Sequence, residues 1–275
     1  MLSRFQYLSD LHLESYTSII FSKLVRPAAP ILCLAGDIGN PKLPLYSRFL
    51  EYCQDKWEHI FIVAGNHEIH NNGEEVDTID ERLARCEEVC QQWKNVHFLE
   101  KKGVYLNDHN IMVLGTTLWT NIPAPFAKEI EATSHDYRNI RRSSDRALIR
   151  ATDVSSWHLE SQRWLATKIY EAEESCKHVV VISHHMPSWS LIHPKYSYQT
   201  QLNYAYAGNC DYLMQHPVRA WIYGHTHDQK INIMPGGTLA AVNAYGYNDT
   251  QRTGFEKNAV LRVPSGPWPP QEILS

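Results

Sequence analysis

The chain has 275 residues, of which 43% are hydrophobic and 20% are charged, and its formal net charge at pH 7 is −4. Length and apolar content suit a single domain over 1–275, and the acidic balance argues against a general nucleic-acid coat, because phosphate backbones select basic surfaces. With no targeting segment and no apolar run long enough to span a bilayer, we expect a cytoplasmic protein without membrane contact.

The first half of the chain places polar residues directly behind apolar runs. Strand-like sequence over 5–8 leads to Asp10 and His12, which project the same way if the chain stays extended. A buried strand over 30–35 ends at Gly36 and Asp37, and another over 60–64 ends at the Gly-Asn-His-Glu sequence 65–68. Apolar residues at helical spacing over 44–57 and 76–93 predict helices that cover the sheet.

The second half repeats this arrangement. Strands are predicted over 111–115, 179–183 and 220–223, and the last two lead to His184-His185 and to His225-Thr226-His227. A helix is predicted from about Trp157, a β-hairpin over 231–242 and a further strand over 259–263. Alternating strands and helices indicate an α/β protein, in which ligands bind at the carboxyl ends of strands.

The segment between about 120 and 152 has a weaker periodic signal and is predicted to be an insertion or lid. Its arginines either form a solvated face or help to hold an anionic substrate, with Arg138 and Arg141 as the candidate contacts. The proline-rich tail from about 264 is predicted to be surface chain.

Five strand ends therefore present carboxylate, amide and imidazole side chains. This number of ligands exceeds what one tetrahedral zinc needs, so two metal ions are the simplest interpretation. Two cations roughly 3.5–4 Å apart can hold a bridging hydroxide and clamp both oxygens of an in-line displacement at phosphorus. The ligand types are compatible with divalent or trivalent Mn, Fe, Zn, Ni or Co, and the chemistry indicated is hydrolysis of a phosphate ester.

In their order along the chain, these blocks resemble the signature of the calcineurin-like metallophosphoesterase superfamily. Further stretches at 115–119, 136–141, 184–188 and 243–247 resemble small bacterial-type members. The resemblance implies a four-layer α/β/β/α sandwich of two mixed β-sheets flanked by helices, with a di-metal site at the strand ends between the sheets.

The resemblance also implies a role for each matching residue. One metal would be held by Asp10, His12, Asp37 and His227, and the other by Asp37, Asn66, His184 and His225. Asp37 would bridge the two ions, and His67 would be the general acid. His185 matches no metal position, so it either touches substrate or makes an ordinary hydrogen bond.

One position departs from the family pattern. Protein phosphatases of the family carry an aspartate that supports the catalytic histidine and then an arginine that grips phosphate, whereas here Asn40 replaces the aspartate and the arginine is absent. This favours phosphodiesters or small phosphate esters over phosphoproteins. The alternatives are a nuclease of the same superfamily, supported only by the arginine cluster from Arg138 to Arg150, and a non-catalytic metal-binding interaction module.

Overall fold

The computed structural model describes residues 2–198, 201–247 and 254–264. Its strands are β1 (Leu2–Leu8), β2 (Ile31–Ala35), β3 (His59–Val63), β4 (Val96–Phe98), β5 (Lys102–Leu106), β6 (Ile111–Thr116), β7 (His178–Ser183), β8 (Val218–Tyr223), β9 (Gln229–Ile233), β10 (Leu239–Asn243) and β11 (Val260–Pro264). Its α-helices are α1 (Phe21–Leu24), α2 (Pro44–Gln54), α3 (Asn66–Ile69), α4 (Ile79–Cys90), α5 (Ala127–Thr133), α6 (Asp136–Asn139) and α7 (Ala151–Glu174).

The strands form two mixed sheets. The first has the order β11-β1-β2-β3-β4, in which only β11 runs antiparallel to its neighbour, and the second has the order β5-β6-β7-β8-β10-β9. In the second sheet, β5 and β9 are the antiparallel edge strands. Pairing of β2 with β3 runs from Ile31↔His59 to Ala35↔Val63, so the loops that carry Asp37 and Asn66 leave the sheet at the same level.

Three apolar layers hold the sheets and helices together. Side chains of alternating strand positions meet between the two sheets, where Phe61 packs with Val180 and Ile222. The opposite face of the first sheet packs on α2 and α4, and the opposite face of the second packs on α7. The predicted α/β/β/α sandwich of two mixed sheets is confirmed.

Several element boundaries differ from the prediction. The helix expected over 76–93 begins only at Ile79, because the Thr78 hydroxyl accepts the N–H of Glu81 and the Glu81 carboxylate accepts the N–H of Thr78. Val76 lies outside the helix and is 53% exposed. The short strands β4 and β5 were not predicted, whereas the β9–β10 hairpin is confirmed.

The segment between 120 and 152 is packed onto the fold. It forms α5 and α6, and buries Ile130, Tyr137 and Ile140 against the first sheet's helical layer. The predicted tail lies outside the described residues except for Pro264, which ends β11. None of the helices in the described ranges is long and apolar enough to cross a membrane.

Candidate metal centre and its cavity

The first group of possible metal ligands contains Asp10, His12 and His227. Their ligand atoms lie within 4.8 Å of one another. Nε2 of His227 lies 3.5 Å from Oδ1 of Asp10 and 3.2 Å from Nε2 of His12. Asp10 is fully buried and also accepts the backbone N–H of His225 through both carboxylate oxygens, which fixes its orientation.

The second group contains Asp37, His184 and His225. Nε2 of His184 lies 3.4 Å from Oδ2 of Asp37 and 3.1 Å from Oδ1 of Asn66. The other ring nitrogen, Nδ1, donates to the carbonyl of Ala35 at 2.9 Å, which leaves Nε2 as the atom facing the group.

Asp37 lies between the two groups. Its Oδ2 atom is 3.4 Å from His184 and 3.9 Å from Nε2 of His12. Burial opposes a charge on His184, but the Asp37 carboxylate outweighs it and raises the pKa of His184 to about 10. The space between Oδ2 of Asp37 and the Nε2 atoms of His184 and His12 therefore favours a positive charge. The mixed oxygen and nitrogen donors also fit catalytic metal ions.

The backbone at these positions is left-handed. Asp10 and His12 have φ values of 56° and 47°, so the extended conformation assumed for their two-residue spacing is wrong. Asp37, His225 and His227 also have positive φ. Each such residue costs of order 1–3 kcal/mol, and this kind of strain is concentrated at functional sites.

Glycine is required where the loops approach each other. A Cβ atom on Gly65 would lie 2.1 Å from Oδ1 of Asp37, and one on Gly36 would lie 2.5 Å from Nδ1 of His184. The two strand ends can therefore bring Asp37 and His184 together only because these positions lack a side chain.

Glu68 holds the same loops from beneath. Its fully buried carboxylate accepts the backbone N–H groups of Asp37 at 2.9 Å, Ile38 at 2.7 Å, Gly39 at 3.2 Å and Gly65 at 2.8 Å. Burial and the nearby Asp37 carboxylate raise the pKa of Glu68 to about 7, against the effect of these donors. Glu68 therefore fixes the position of Asp37 relative to α3.

We expect Glu68→Gln to lower the free energy of unfolding by about 1–3 kcal/mol, because the new amide group would present N–H donors to backbone N–H donors in a buried site. Urea unfolding of both proteins measures this difference. Glu174→Gln, at an exposed position at the end of α7, is the matched control and should leave the free energy of unfolding unchanged. Equal stability of both variants would show that Glu68 does not hold the loops.

His67 lies beside both groups, and with His12 and Glu14 it forms a third group of possible ligand atoms. Its backbone N–H donates to Oδ1 of Asp37 at 2.9 Å, its Nδ1 lies 3.0 Å from Oε1 of Glu14, and its Nε2 lies 2.8 Å from the Tyr247 hydroxyl. Burial lowers the pKa of His67, but the Asp37 charge and the Glu14 hydrogen bond outweigh it and raise the pKa to about 9. The Asp37 and Glu14 carboxylates therefore favour the protonated form of His67.

Glu14 is the carboxylate partner that sequence reasoning did not find for His67. The same oxygen, Oε1, lies 3.2 Å from Nδ1 of His12. Burial raises the pKa of Glu14, but hydrogen bonds from the two imidazoles lower it to about 2. Asn40 instead uses its Oδ1 to accept the N–H of Lys42 at 2.9 Å. In the sequence, the feature that points to Glu14 is its position two residues after His12.

Asp136 orients Asn66. Its Oδ1 accepts the Asn66 amide N–H at 2.9 Å and lies 2.7 Å from Nε2 of His70, while Oδ2 accepts the Ser134 hydroxyl at 3.0 Å. Burial raises the pKa of Asp136, but the His70 hydrogen bond and charge outweigh it, so the carboxyl stays ionised. The Asn66 amide oxygen is thereby turned towards His184. The 136–141 stretch was part of the family resemblance, but the sequence did not predict that Asp136 orients Asn66.

The remaining predicted site residues lie elsewhere. Nδ1 of His185 donates to the Thr117 carbonyl at 3.2 Å, and burial keeps its pKa well below the usual value, so His185 is a neutral packed residue behind His225. Arg138 donates to the Ala132 carbonyl. Arg141 donates to the Arg146 carbonyl, and neither arginine lines the cavity described next.

The other arginines of this segment are paired on the surface. The pairs are Arg142 with Asp145, Arg146 with Glu81 and Arg150 with Glu131. Their positive charges are therefore engaged with neighbouring carboxylates, which matches a solvated face.

A cavity of about 590 Å³ opens above both ligand groups. Asp37, Asn66, His67, His225 and His227 line one end of it. Its volume lies within the range of roughly 300–1,000 Å³ that is typical of small-molecule sites.

The sequence matches a known protein family and resembles a viral protein. A family model described as calcineurin-like phosphoesterase matches residues 4–229. An uncharacterised protein of Acanthamoeba polyphaga mimivirus is 29% identical over 276 residues, which cover 94% of this chain and 96% of that protein.

Two solved structures share the fold. The phosphopantetheinyl hydrolase of Mycobacterium tuberculosis has a TM-score of 0.70 and 16% identity, over 97% of both chains. A dimetal phosphatase from Danio rerio has a TM-score of 0.54 and 12% identity, over 87% of this chain and 86% of its own.

Proposed function

Because the chain belongs to the calcineurin-like phosphoesterase family, we propose that it hydrolyses phosphodiesters or other small phosphate esters rather than phosphoproteins. The observation that carries the proposal is the arrangement around Asp37. Two groups of metal-ligand atoms meet at this carboxylate, and His67 faces the same cavity.

Two transition-metal ions complete the proposed site. Asp10, His12, Asp37 and His227 would hold one, and Asp37, Asn66, His184 and His225 would hold the other. When bound, such ions neutralise charge on phosphoryl oxygens and lower the pKa of water to about 7. Mn, Fe, Zn, Ni and Co all suit this mixed oxygen and nitrogen ligand set.

His67 acts as the general acid. Glu14 accepts the Nδ1 proton, so the imidazole is held with Nε2 towards the cavity. The Tyr247 hydroxyl, 2.8 Å from Nε2, marks a position from which an oxygen atom can receive the second proton. As the bond from phosphorus to the leaving oxygen breaks, the Nε2 proton passes to that oxygen, which typically contributes a factor of about 10²–10⁴.

The charges around the cavity support a small ester over a nucleic acid strand. Among the described lining residues, Lys195 is the only lysine or arginine, whereas strand binding requires several cations along the backbone. Position 40 carries no carboxylate and no arginine follows it, which supports esters over phosphoproteins. The names of the similar structures, a phosphopantetheinyl hydrolase and a dimetal phosphatase, agree with phosphoester chemistry.

Hydrolysis of p-nitrophenyl phosphate and bis(p-nitrophenyl) phosphate by metal-loaded protein tests this function. We expect metal-loaded protein to hydrolyse at least one of the two esters. If protein with two bound metal ions hydrolysed neither these esters nor a broad panel of other phosphate esters, the proposed function would be overturned in favour of a non-catalytic binding module.

Glu14 is proposed to position His67. The loss of kcat on removal of the Glu14 side chain should therefore depend on the leaving group of the ester. We expect Glu14→Ala to lower kcat for methyl phenyl phosphate at least about tenfold more than for methyl p-nitrophenyl phosphate, because nitrophenolate leaves readily without a proton. Steady-state kinetics on both esters measures the difference. Glu174→Ala, on the exposed end of α7, serves as the control. If kcat fell equally for both esters, Glu14 would act through His12 and the metal site rather than through His67.

A further inference from the structure

The cavity extends well beyond the two ligand groups into an apolar region. We call this region the distal wall, and it consists of Ile130, Met186, Leu191, Ile192, Leu202 and Tyr206. Ile192, Leu202 and Tyr206 supply its accessible surface, whereas the other three are almost completely buried. Neither metal binding nor the proton donated by His67 uses these side chains, although they line the same cavity.

The distal wall is anchored in the hydrophobic core. Met186 and Leu191 belong to the core under the second sheet, and Ile192 packs against it. Ile130 belongs to the core of the first sheet, and Leu202 packs against that one. Five of the six wall residues lie on the connection between β7 and β8, and Ile130 lies on α5. Contacts with both cores therefore hold this connection beside the site.

Hydrogen bonds hold the chain that carries most of this wall. The Asn203 amide donates to the Tyr196 carbonyl at 3.0 Å, and Lys230 donates to the Leu191 carbonyl. A β-bridge joins Met186 to Ala207. These contacts make the wall a formed surface, as is usual for small-molecule sites, rather than one that a ligand must assemble.

The charges near the wall disfavour an anionic extension of the substrate. Lys195 is the only lysine or arginine among the described lining residues, and it lies at an exposed position. The carboxylates of Asp136 and Asp228 also line the cavity, and they are paired with His70 and Lys230 respectively. A chain of further phosphates would therefore find Lys195 as its one lysine or arginine partner among the described lining residues, whereas an uncharged organic chain would bury apolar area.

We propose that the distal wall binds an elongated, uncharged and partly apolar arm of the phosphate ester. The substrate class is then a phosphodiester of a small molecule with an extended neutral chain, rather than a nucleotide polymer. This inference rests on the proposed phosphoesterase function, because the phosphoryl group must lie at the ligand groups when the arm lies on the wall.

Two diesters with the same leaving group test the inference. Methyl p-nitrophenyl phosphate and octyl p-nitrophenyl phosphate, the latter kept below its critical micelle concentration, release the same nitrophenolate and differ only in the arm. We expect kcat/KM to be at least about tenfold higher for the octyl ester with metal-loaded protein, because each buried methylene group contributes roughly fourfold.

Substitutions in the distal wall test whether the wall causes the preference for the octyl ester. Ile192→Ala and Leu202→Ala, both at partly exposed positions, should each lower the octyl-to-methyl ratio of kcat/KM by about threefold or more. Ile231→Ala is the matched control, because Ile231 is 49% exposed on edge strand β9 and does not line the cavity. It should leave the ratio at the wild-type value.

The outcomes separate this inference from the proposed function. Equal hydrolysis of the two esters, or a ratio that the wall variants do not change, overturns the inference and leaves the phosphoesterase function standing. Faster hydrolysis of single-stranded oligothymidylate than of both esters also overturns it. No hydrolysis of any ester by protein with two bound metal ions overturns the function and the inference together.

Discussion

We expect His67→Ala to lower kcat for methyl phenyl phosphate by about 10²–10⁴-fold while the protein keeps two metal ions and stays folded. His67 makes its contacts through a backbone N–H that any residue retains, and through Nδ1 and Nε2, which face Glu14 and Tyr247. Removal of the ring therefore takes away the proton donor but leaves the proposed metal ligands in place.

Kinetics, elemental analysis and urea unfolding of the same preparations separate these effects. The loss should be smaller for methyl p-nitrophenyl phosphate, and Glu14→Ala should add nothing further in the His67→Ala background, because Glu14 is proposed to act through His67. His216→Ala, at an exposed position outside the cavity, is the control. Undiminished hydrolysis of the phenyl ester by His67→Ala would remove His67 from the mechanism.

Asp37→Asn should have the other large effect. Asparagine has a similar shape and tolerates the left-handed φ of 53° at this position, so the substitution chiefly removes the negative charge between His12 and His184. We expect at least one metal ion per chain to be lost and kcat/KM to fall on the order of 10³-fold or more.

Elemental analysis after gel filtration, together with diester kinetics, measures both consequences. Asp108→Asn, at an exposed position beside β6, is the matched control and should retain metal and activity. If Asp37→Asn kept two metal ions and wild-type turnover, Asp37 would not be the shared ligand.

The parts of the site that lie directly behind buried strands were predictable from sequence. The apolar run before Gly65 forms β3 as expected, and its partner β2 ends level with it at Ala35. Parallel pairing then brings Asp37 and Asn66 together, because strand ends in one sheet share an edge. The metal-binding roles of these residues stay predictions.

Other parts depend on contacts between residues that are distant in sequence. Glu14 meets His67 across 53 positions, and Asp136 meets Asn66 across 70. No local periodicity encodes either contact. The left-handed backbone at Asp10 and His12 was also not predictable, because loop geometry and tertiary packing decide it, whereas strand alternation applies only to extended chain.

The arginines of α6 and the following chain show the limit of composition. Their density suggested contacts between substrate and Arg138 or Arg141, but in the structure both side chains donate to backbone carbonyls and neither lines the cavity. A cluster of like charges along the chain does not show which surface those charges face or which carboxylates neutralise them.

Titration of metal-depleted wild-type protein with Mn²⁺ tests the two-metal site most directly. Bound metal is measured by elemental analysis at each step, and hydrolysis of bis(p-nitrophenyl) phosphate is measured on the same samples. The proposed site predicts saturation at two ions per chain, with hydrolysis rising as the second ion binds. Full hydrolysis by protein that holds no metal, or saturation of binding and activity at one ion, would contradict it.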